Sequence, residues 1–260
     1  MAFVVDAAKA LGKFLAFLGV SAFCGVLVAG LMMPAAAVTG GAAFGSAQFF
    51  DSLPTDLTVS PPGLVTKLVA SDGSQIATLF NENRYPIRLD QVSQNLKDAV
   101  VAVEDYRFYE HGGVDTTGIL RAVMANVRGD RQGASTLTQQ YVANVLKENQ
   151  IAQGGDAGVV VNSQKTIGDK LREMKLAIAL EKQYSKDQIL QAYLNIVFFN
   201  TNAYGIEAAS QYFFSVDADH LTLPQAATLA GIVNGPSLYD PTIHPDNALE
   251  RRNLVLDAML

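Results

Sequence analysis

Residues 98–113 read DAVVAVEDYRFYEHGG, an apolar run closed by two adjacent acids and followed by aromatics, a histidine and two glycines. Leu96, Val100 and Val103 recur at the spacing of one helical face, so Glu104 and Asp105 fall at the end of an apolar helix. A carboxylate in that position is a candidate general base, because burial raises its pKa towards the range in which it accepts a proton from a hydroxyl. Spacing alone equally allows a helix terminus with exposed acids and a structural His111.

The helical period continues on the C-terminal side through Ile119, Val123 and Val127, then Leu176, Ala177 and Leu180, then Ile189, Leu190, Tyr193 and Leu194. Ser185-Lys-Asp-Gln188 and Thr222-Leu-Pro-Gln225 are capping boxes, and Thr166-Ile-Gly-Asp169 is a related form that uses Asp. The last stretch, Asn247 to Leu260, is helix-like, with Leu249, Leu256 and Leu260 spaced for one face and no terminal Gly or Pro. The expectation is a front part of a longer protein. Gln150 to Val161 is glycine-containing with little charge and is expected to be a loop. On the N-terminal side, Val65–Ala70 and Gln75–Phe80 are β-favouring runs around Ser71-Asp72-Gly73-Ser74, where Asp-Gly suits a hairpin turn. The domain is therefore expected to be mainly α with one small β-hairpin.

Further upstream the composition changes. The chain of 260 residues is 49% apolar and 17% charged with net charge −6, yet from Phe14 to Phe50 it contains 37 consecutive residues without Asp, Glu, Lys, Arg or His. A helix crossing about 30 Å of hydrocarbon needs roughly 20 apolar residues, and Phe14 to Met33 supplies them. Lys9 and Lys13 precede this stretch and no positive charge follows until Lys67, which places the N-terminus in the cytoplasm. A cleaved signal peptide is the competing interpretation, but signal h-regions run only about 7 to 15 residues. The resulting division is a cytoplasmic tail over 1–13, a transmembrane helix over 14–38, an extracytoplasmic tether rich in Gly, Ala, Ser and Pro over 39–63, and one globular domain over 64–260. The acidic balance argues against a nucleic-acid partner. Cys24 is the sole cysteine, which excludes a disulfide framework and a cysteine-based zinc cluster.

Three histidines, at 111, 220 and 244, are too dispersed for a metal triad, and HExxH, P-loop, GxSxG and Ser-x-x-Lys elements are absent. What remains is carboxylate chemistry beside short polar motifs. Gly133-Ala-Ser-Thr-Leu-Thr-Gln-Gln140 gathers three hydroxyls and two amides at a helix start, where free N–H groups suit a phosphate. Simple capping by Ser135 or Thr136 explains the hydroxyls but not the paired glutamines. Lys170 and Glu173 lie three apart on the helix starting near Thr166 and share a face; they would put a cation on a phosphate and a second acid near a reacting bond, or form an ordinary exposed ion pair.

In this order, behind a membrane anchor, the motifs resemble the peptidoglycan glycosyltransferase domain of class A penicillin-binding proteins, the family 51 glycosyltransferases. Glu104-Asp105-x-x-Phe108-x-x-His111-x-Gly113 is similar to the first family motif, Gly133-x-Ser135-Thr136-x-Thr138-Gln139-Gln140 to the second, and Lys170-x-x-Glu173 with Ile189-Leu190-x-x-Tyr193-Leu194-Asn195 to the third. Tyr204-Gly205-Ile206-Glu207-Ala208-Ala209 with Tyr212-Phe213 resembles the fourth, and Leu229-Ala230-Gly231-Ile232 with Pro236 and Tyr239-x-Pro241 the fifth.

The resemblance implies a lysozyme-like α fold with a membrane-touching subdomain that polymerises lipid II into glycan strands, with inversion at the anomeric carbon and release of undecaprenyl pyrophosphate. Glu104 would be the base for the acceptor 4-hydroxyl. Glu173 would assist at the donor, directly or through a divalent cation such as Mg or Mn, with no organic cofactor and no assigned metal ligands. Asp105, Phe108, His111, Ser135, Thr136, Gln139, Gln140, Lys165 and Lys170 would form the substrate site. Partners would be lipid II, the growing glycan, the membrane, a downstream transpeptidase domain and the cell-wall synthesis machinery.

Two positions depart from the pattern. Ala143 stands where many members have lysine, and Asp169-Lys170 where they have Arg-Lys. Arg172 lies about 200° around the helix from Lys170, so Lys165 is the better substitute cation, and Asp169 would cap first-turn N–H groups. A lysozyme-like glycan-cleaving enzyme and a non-catalytic membrane-anchored scaffold are the alternatives. The polar second motif and the membrane anchor speak against the first, although two carboxylates would permit hydrolysis, and the retained Glu104, Glu173 and Ser/Thr/Gln cluster speak against the second.

Overall fold

The computed structural model describes residues 50–129, 133–155 and 165–260. Contacts divide the chain into two units, Met1–Leu53 and Pro54–Leu260, and the sheets and long helices among the described residues lie in the second. The expected transmembrane helix and the N-terminal tail fall outside the described residues, as does the tether as far as residue 49. Among the described residues no helix is long and apolar enough to cross a membrane.

The fold is mainly helical with two small sheets. Strands β1 (Thr66–Val69) and β2 (Gln75–Leu79) pair antiparallel, Thr66 opposite Leu79. The turn forms as its residues demand: the Asp72 carboxylate accepts from Ser74 N at 2.9 Å, and Gly73 takes φ +85°, which a side chain would resist. The second sheet joins β3 (Asn83–Arg84) to β4 (Ala203–Tyr204) in parallel. Fully buried Arg84 secures it, donating to Asn195 O at 2.7 Å, Glu82 at 2.8 Å and Glu148 at 2.5 Å. Asn195 then braces Ile87 on both sides, accepting from its N–H at 2.9 Å and donating to its carbonyl at 2.8 Å.

The helices are α1 (Gln94–Glu104), α2 (Thr116–Arg128), α3 (Leu137–Ala152), α4 (Ile167–Leu180), α5 (Lys186–Ile196), α6 (Ile206–Phe214), α7 (Leu223–Val233) and α8 (Pro245–Ala258). The three expected capping boxes all form, at Thr166–Asp169, Ser185–Gln188 and Thr222–Gln225. Helix α1 packs between α7 and α8, and α3 packs against α4 and α5. Leu96, Val100, Leu137, Leu176, Leu190, Leu194 and Leu229 are buried in the shared core, each worth about 1.5–3 kcal/mol of burial.

Helix α2 forms where the spacing of Ile119, Val123 and Val127 places it, and Val127, 84% exposed, with Leu120 and Met124 leaves apolar surface open on it. Helix α8 buries Ala248 and Val255, while Leu249 and Leu260 point to solvent; Leu256 alone of the expected stripe packs on the core. Helix α3 continues through Ala152, because Gln150, Ile151 and Ala152 are adequate helix formers and the first chain reversal comes at Gly154 with φ +92°. The loop therefore starts later than expected, and residues 156–164 lie outside the described residues.

Candidate active site

Helix α1 stops at Glu104 because Asp105 leaves helical geometry (φ −161°, ψ 71°) and turns its carboxylate inward. Asp105 is 8% exposed; Oδ2 accepts from Leu137 N at 3.0 Å and Oδ1 meets His111 Nε2 at 2.8 Å. The acid thus ties the end of α1 to the first residue of α3. Phe108 is fully buried beneath, with the Lys186 ammonium 4.5 Å from its ring centre. Thr136 caps α3, accepting from Gln139 N at 3.2 Å and donating to Gly113 O at 2.8 Å, and Gln139 Nε2 donates to the same carbonyl at 3.3 Å.

That frame leaves Glu104 facing a cleft of about 870 Å³ that is also lined by Ser135, Gln140, Asn234, Arg121 and Arg251. The Glu104 side chain is only 7% exposed. Its two oxygens differ. Oε2 accepts from Gln140 Nε2 at 2.7 Å, and Gln140 Oε1 in turn accepts from the buried Tyr193 hydroxyl at 3.0 Å. Oε1 is buried and accepts no hydrogen bond among the described residues. Arg251 Nη2 stands 3.9 Å from it. Burial pushes the Glu104 carboxyl above its ordinary value; the Gln140 N–H and the Arg251 charge pull it back, and Asp105 adds to the rise. Burial and the Glu104 charge push the Tyr193 phenol well up, so it stays a donor.

A second cluster surrounds Glu173 on α4, whose side chain is 4% exposed. Lys165 Nζ lies 2.6 Å from Oε1 and Lys170 Nζ 3.3 Å from Oε2, and Lys170 also donates to Ser135 Oγ at 2.6 Å. Burial holds the Lys170 ammonium below its usual pKa, with Glu173 pulling it back up. Lys165 and Lys147 line an adjoining cavity of about 640 Å³ that shares Gln140, Val233 and Asn234 with the cleft of Glu104. Burial lowers the Lys147 ammonium, Lys165 lowers it further and Glu173 opposes both, so three lysines gather around one carboxylate. Glu82 and Glu148 line the same cavity and share Arg84 between them, so the positive charge that suits a phosphate is concentrated at the lysines beside Glu173.

Of the expected site residues, Glu104, Ser135, Gln140, Lys165, Asp105 and Thr136 line these cavities, while Phe108, His111, Gln139, Lys170 and Glu173 do not; Lys170 and Glu173 reach them only through Ser135 and Lys165. Phe108 has no exposed surface with which to touch a substrate, a correction to its expected contact; it packs the frame instead. Asp169 caps Thr166, accepting from its N–H at 2.9 Å and hydroxyl at 2.7 Å, and these bonds hold its carboxyl below the usual range. It is therefore no replacement for a cation, whereas Lys165 reaches Glu173 as its position suggests. Arg251 and Lys147 carry no mark in the sequence motifs; Lys147, one turn along α3 from Ala143 and in the same cavity, is findable by spacing.

The carboxylates do not form a metal cage. Both Glu173 oxygens rest on ammonium groups, and both Asp105 oxygens are engaged by His111 and Leu137. Asp217, Asp219 and His220 bring ligand atoms within 4.8 Å of one another on an exposed turn that lines neither cavity. A divalent ion at Glu173 would have to displace a lysine, so the donor set around Glu173 fits an anion better than a metal.

The family model described as Transglycosylase matches residues 72–260. The chain is 38% identical over 196 residues to penicillin-binding protein 1F of Bacillus subtilis, covering 75% of this chain and 26% of that protein. It is 42% identical over 199 residues to penicillin-binding protein 1A of Mycobacterium tuberculosis, covering 75% and 23%. The chain thus spans about a quarter of the length of these relatives. A crystal structure of penicillin-binding protein 1A from Haemophilus influenzae aligns with 78% of this chain and 19% of that chain at 22% identity and a TM-score of 0.41.

Proposed function

The chain belongs to the transglycosylase family, and from that premise we propose that it is a peptidoglycan glycosyltransferase that polymerises lipid II into glycan strands, with inversion at the anomeric carbon. The observation that carries the proposal is the asymmetric carboxylate of Glu104 in the wall of a cleft, one oxygen fixed by Gln140 and the other buried without a hydrogen-bond partner, beside a cavity lined by Lys147 and Lys165. The acceptor 4-hydroxyl gives its proton to Glu104 Oε1 while its oxygen attacks the anomeric carbon of the donor. The bond from that carbon to the diphosphate breaks, and the electron pair leaves with undecaprenyl pyrophosphate. Lys165, Lys170 and Lys147 meet the growing charge, a task that calls for preorganised cations rather than a proton. Glu173 holds Lys165 and Lys170 in place. Such ammonium contacts fit a phosphate site better than the general acid of a glycan hydrolase, which needs a protonated carboxyl.

In this proposal the fold is lysozyme-like, residues 14–38 anchor the domain on the outer face of the bacterial cell membrane, and the polyprenyl substrate stays in that membrane. The partners are the growing glycan, a peptide-crosslinking transpeptidase domain and the remaining cell-wall machinery.

The test compares polymerisation of purified lipid II by the wild type and by Glu104→Gln. Losing the base is expected to cost about 10²–10⁴-fold in rate. The unfolding midpoint at neutral pH should hold or rise, because a buried, half-bonded carboxylate is removed. Polymer from both proteins at equal rate would overturn the assignment, as would cleavage of finished glycan by the wild type.

A further inference from the structure

Arg251 reaches the cleft from α8 and is not among the motif residues singled out in the sequence. Its aliphatic part lies against Gly231 of α7, where an added Cβ would come 3.0 Å from Arg251 Cγ. Its guanidinium carbon lies 5.6 Å from the centre of the Tyr239 ring, a cation–π distance. The side chain is 17% exposed, and its Nε is buried with no hydrogen-bond partner among the described residues. Two neighbours thus hold an arginine short of a hydrogen bond: Nη2 is 3.9 Å from Glu104 Oε1, too long for one, yet near enough for strong attraction in a shielded cleft.

We propose that Arg251 is the positioning residue of the proton acceptor, a counter-charge held off Glu104 Oε1 so that the oxygen stays both available and unoccupied. The proposal rests on Glu104 being the base. A bonded arginine would fill Oε1 and block the acceptor hydroxyl. Without the cation only the Gln140 N–H would oppose burial and Asp105, and the carboxyl would rise further.

The other charged groups around Glu104 are committed elsewhere. Asp105 is engaged by His111 and Leu137 N, Arg121 donates to the Tyr106 hydroxyl, and Arg107 pairs with Asp115. Tyr193 of α5 is a buried neutral donor to Gln140, and Gln140 of α3 is itself uncharged. Helix α7, packed against α1, contributes no ionisable side chain. Among the described residues, Arg251 is therefore the cation that faces Oε1.

The test uses the full chain in detergent with Arg251→Gln, which keeps the stem over Gly231 and drops the charge, and Arg251→Lys, which keeps the charge. Arg251→Met serves if Arg251→Gln lowers the thermal midpoint. Two quantities are read: the acid limb of kcat/KM for lipid II polymerisation against pH, and the titration of the Glu104 carboxyl by carbon NMR, identified by its disappearance in Glu104→Gln. The neutral variants should shift both upward by about one pH unit, so that one unit below the wild-type limb the rate falls about tenfold further than in the wild type, and Arg251→Lys should restore most of the shift. A uniform loss of rate at every pH with an unmoved NMR titration would overturn the role of Arg251. A moved titration with an unmoved activity limb would leave Arg251 tuning Glu104 but remove Glu104 as the base.

Discussion

Replacing Tyr193 by Phe removes one oxygen from the line Tyr193–Gln140–Glu104 and leaves the ring in its fully buried slot. In the wild type, Tyr193 donates to Gln140 Oε1 at 3.0 Å, which forces the amide nitrogen of Gln140 toward Glu104 Oε2 at 2.7 Å. Without the hydroxyl, Gln140 Oε1 loses its donor, and an unsatisfied buried acceptor costs about 1–3 kcal/mol, discounted because Gln140 is half-buried. The expected loss of stability is about 1–2 kcal/mol. Gln140 is then free to turn its carbonyl toward the carboxylate, replacing a donor with an acceptor. The Gln140 N–H holds the Glu104 carboxyl down, so its loss moves that carboxyl further up. A base must be ionised, so activity is retained on the alkaline side and lost earlier as pH falls. A net hydrogen bond of about 0.5–1.5 kcal/mol sets the expected fall in kcat/KM near neutrality at about 2- to 13-fold. Lipid II polymerisation across pH, with chemical denaturation in parallel, separates the two effects. A variant that loses stability while its rate and acid limb match the wild type would refute the idea that Tyr193 orients the base through Gln140.

Two further outcomes are expected. Asp105→Ala strips the buried tie between α1 and α3, leaving Leu137 N and His111 Nε2 without their acceptor, and should cost about 2–4 kcal/mol in urea unfolding, with Asp105→Asn costing less; a loss below about 0.5 kcal/mol would show that the tie is not structural. Lys147→Ala should weaken inhibition of polymerisation by inorganic pyrophosphate about tenfold and flatten its salt dependence, and adding Ala143→Lys in the same cavity should restore both.

The elements legible in the sequence were those with local causes. Asp72-Gly73 set the hairpin, and side chains three residues apart set the starts of α4, α5 and α7. The pairing of β3 with β4 was not legible, because two residues of strand carry no period and the partner lies 120 positions away, joined through a buried Arg84. Helix α2 was legible as a helix but its surroundings were not: apolar spacing reports that a face is greasy, not that something covers it, and Val127 is exposed.

The site divides along the same line. Residue type and spacing located Glu104, Ser135, Gln140 and Glu173 as chemistry, yet Asp105, His111, Thr136 and Gln139 sit in the same short motifs and spend their hydrogen bonds on one another, on Leu137 N and on Gly113 O. In motif two, neighbours on α3 point in different directions: Gln139 goes inward to the frame, and Gln140, about 100° further around the axis, reaches Glu104. A string of conspicuous polar residues at a helix start is therefore two layers read as one, a buried layer that fixes the backbone and a layer that faces the cleft. Arg251 shows the converse. It lies outside the conspicuous string, on a helix whose leucines mark the wrong face, and it enters the site only because Gly231 leaves room for its stem. A cation delivered by long-range packing leaves no local signature, so the charge balance of a buried carboxylate is the part of such a site that only a structure can supply.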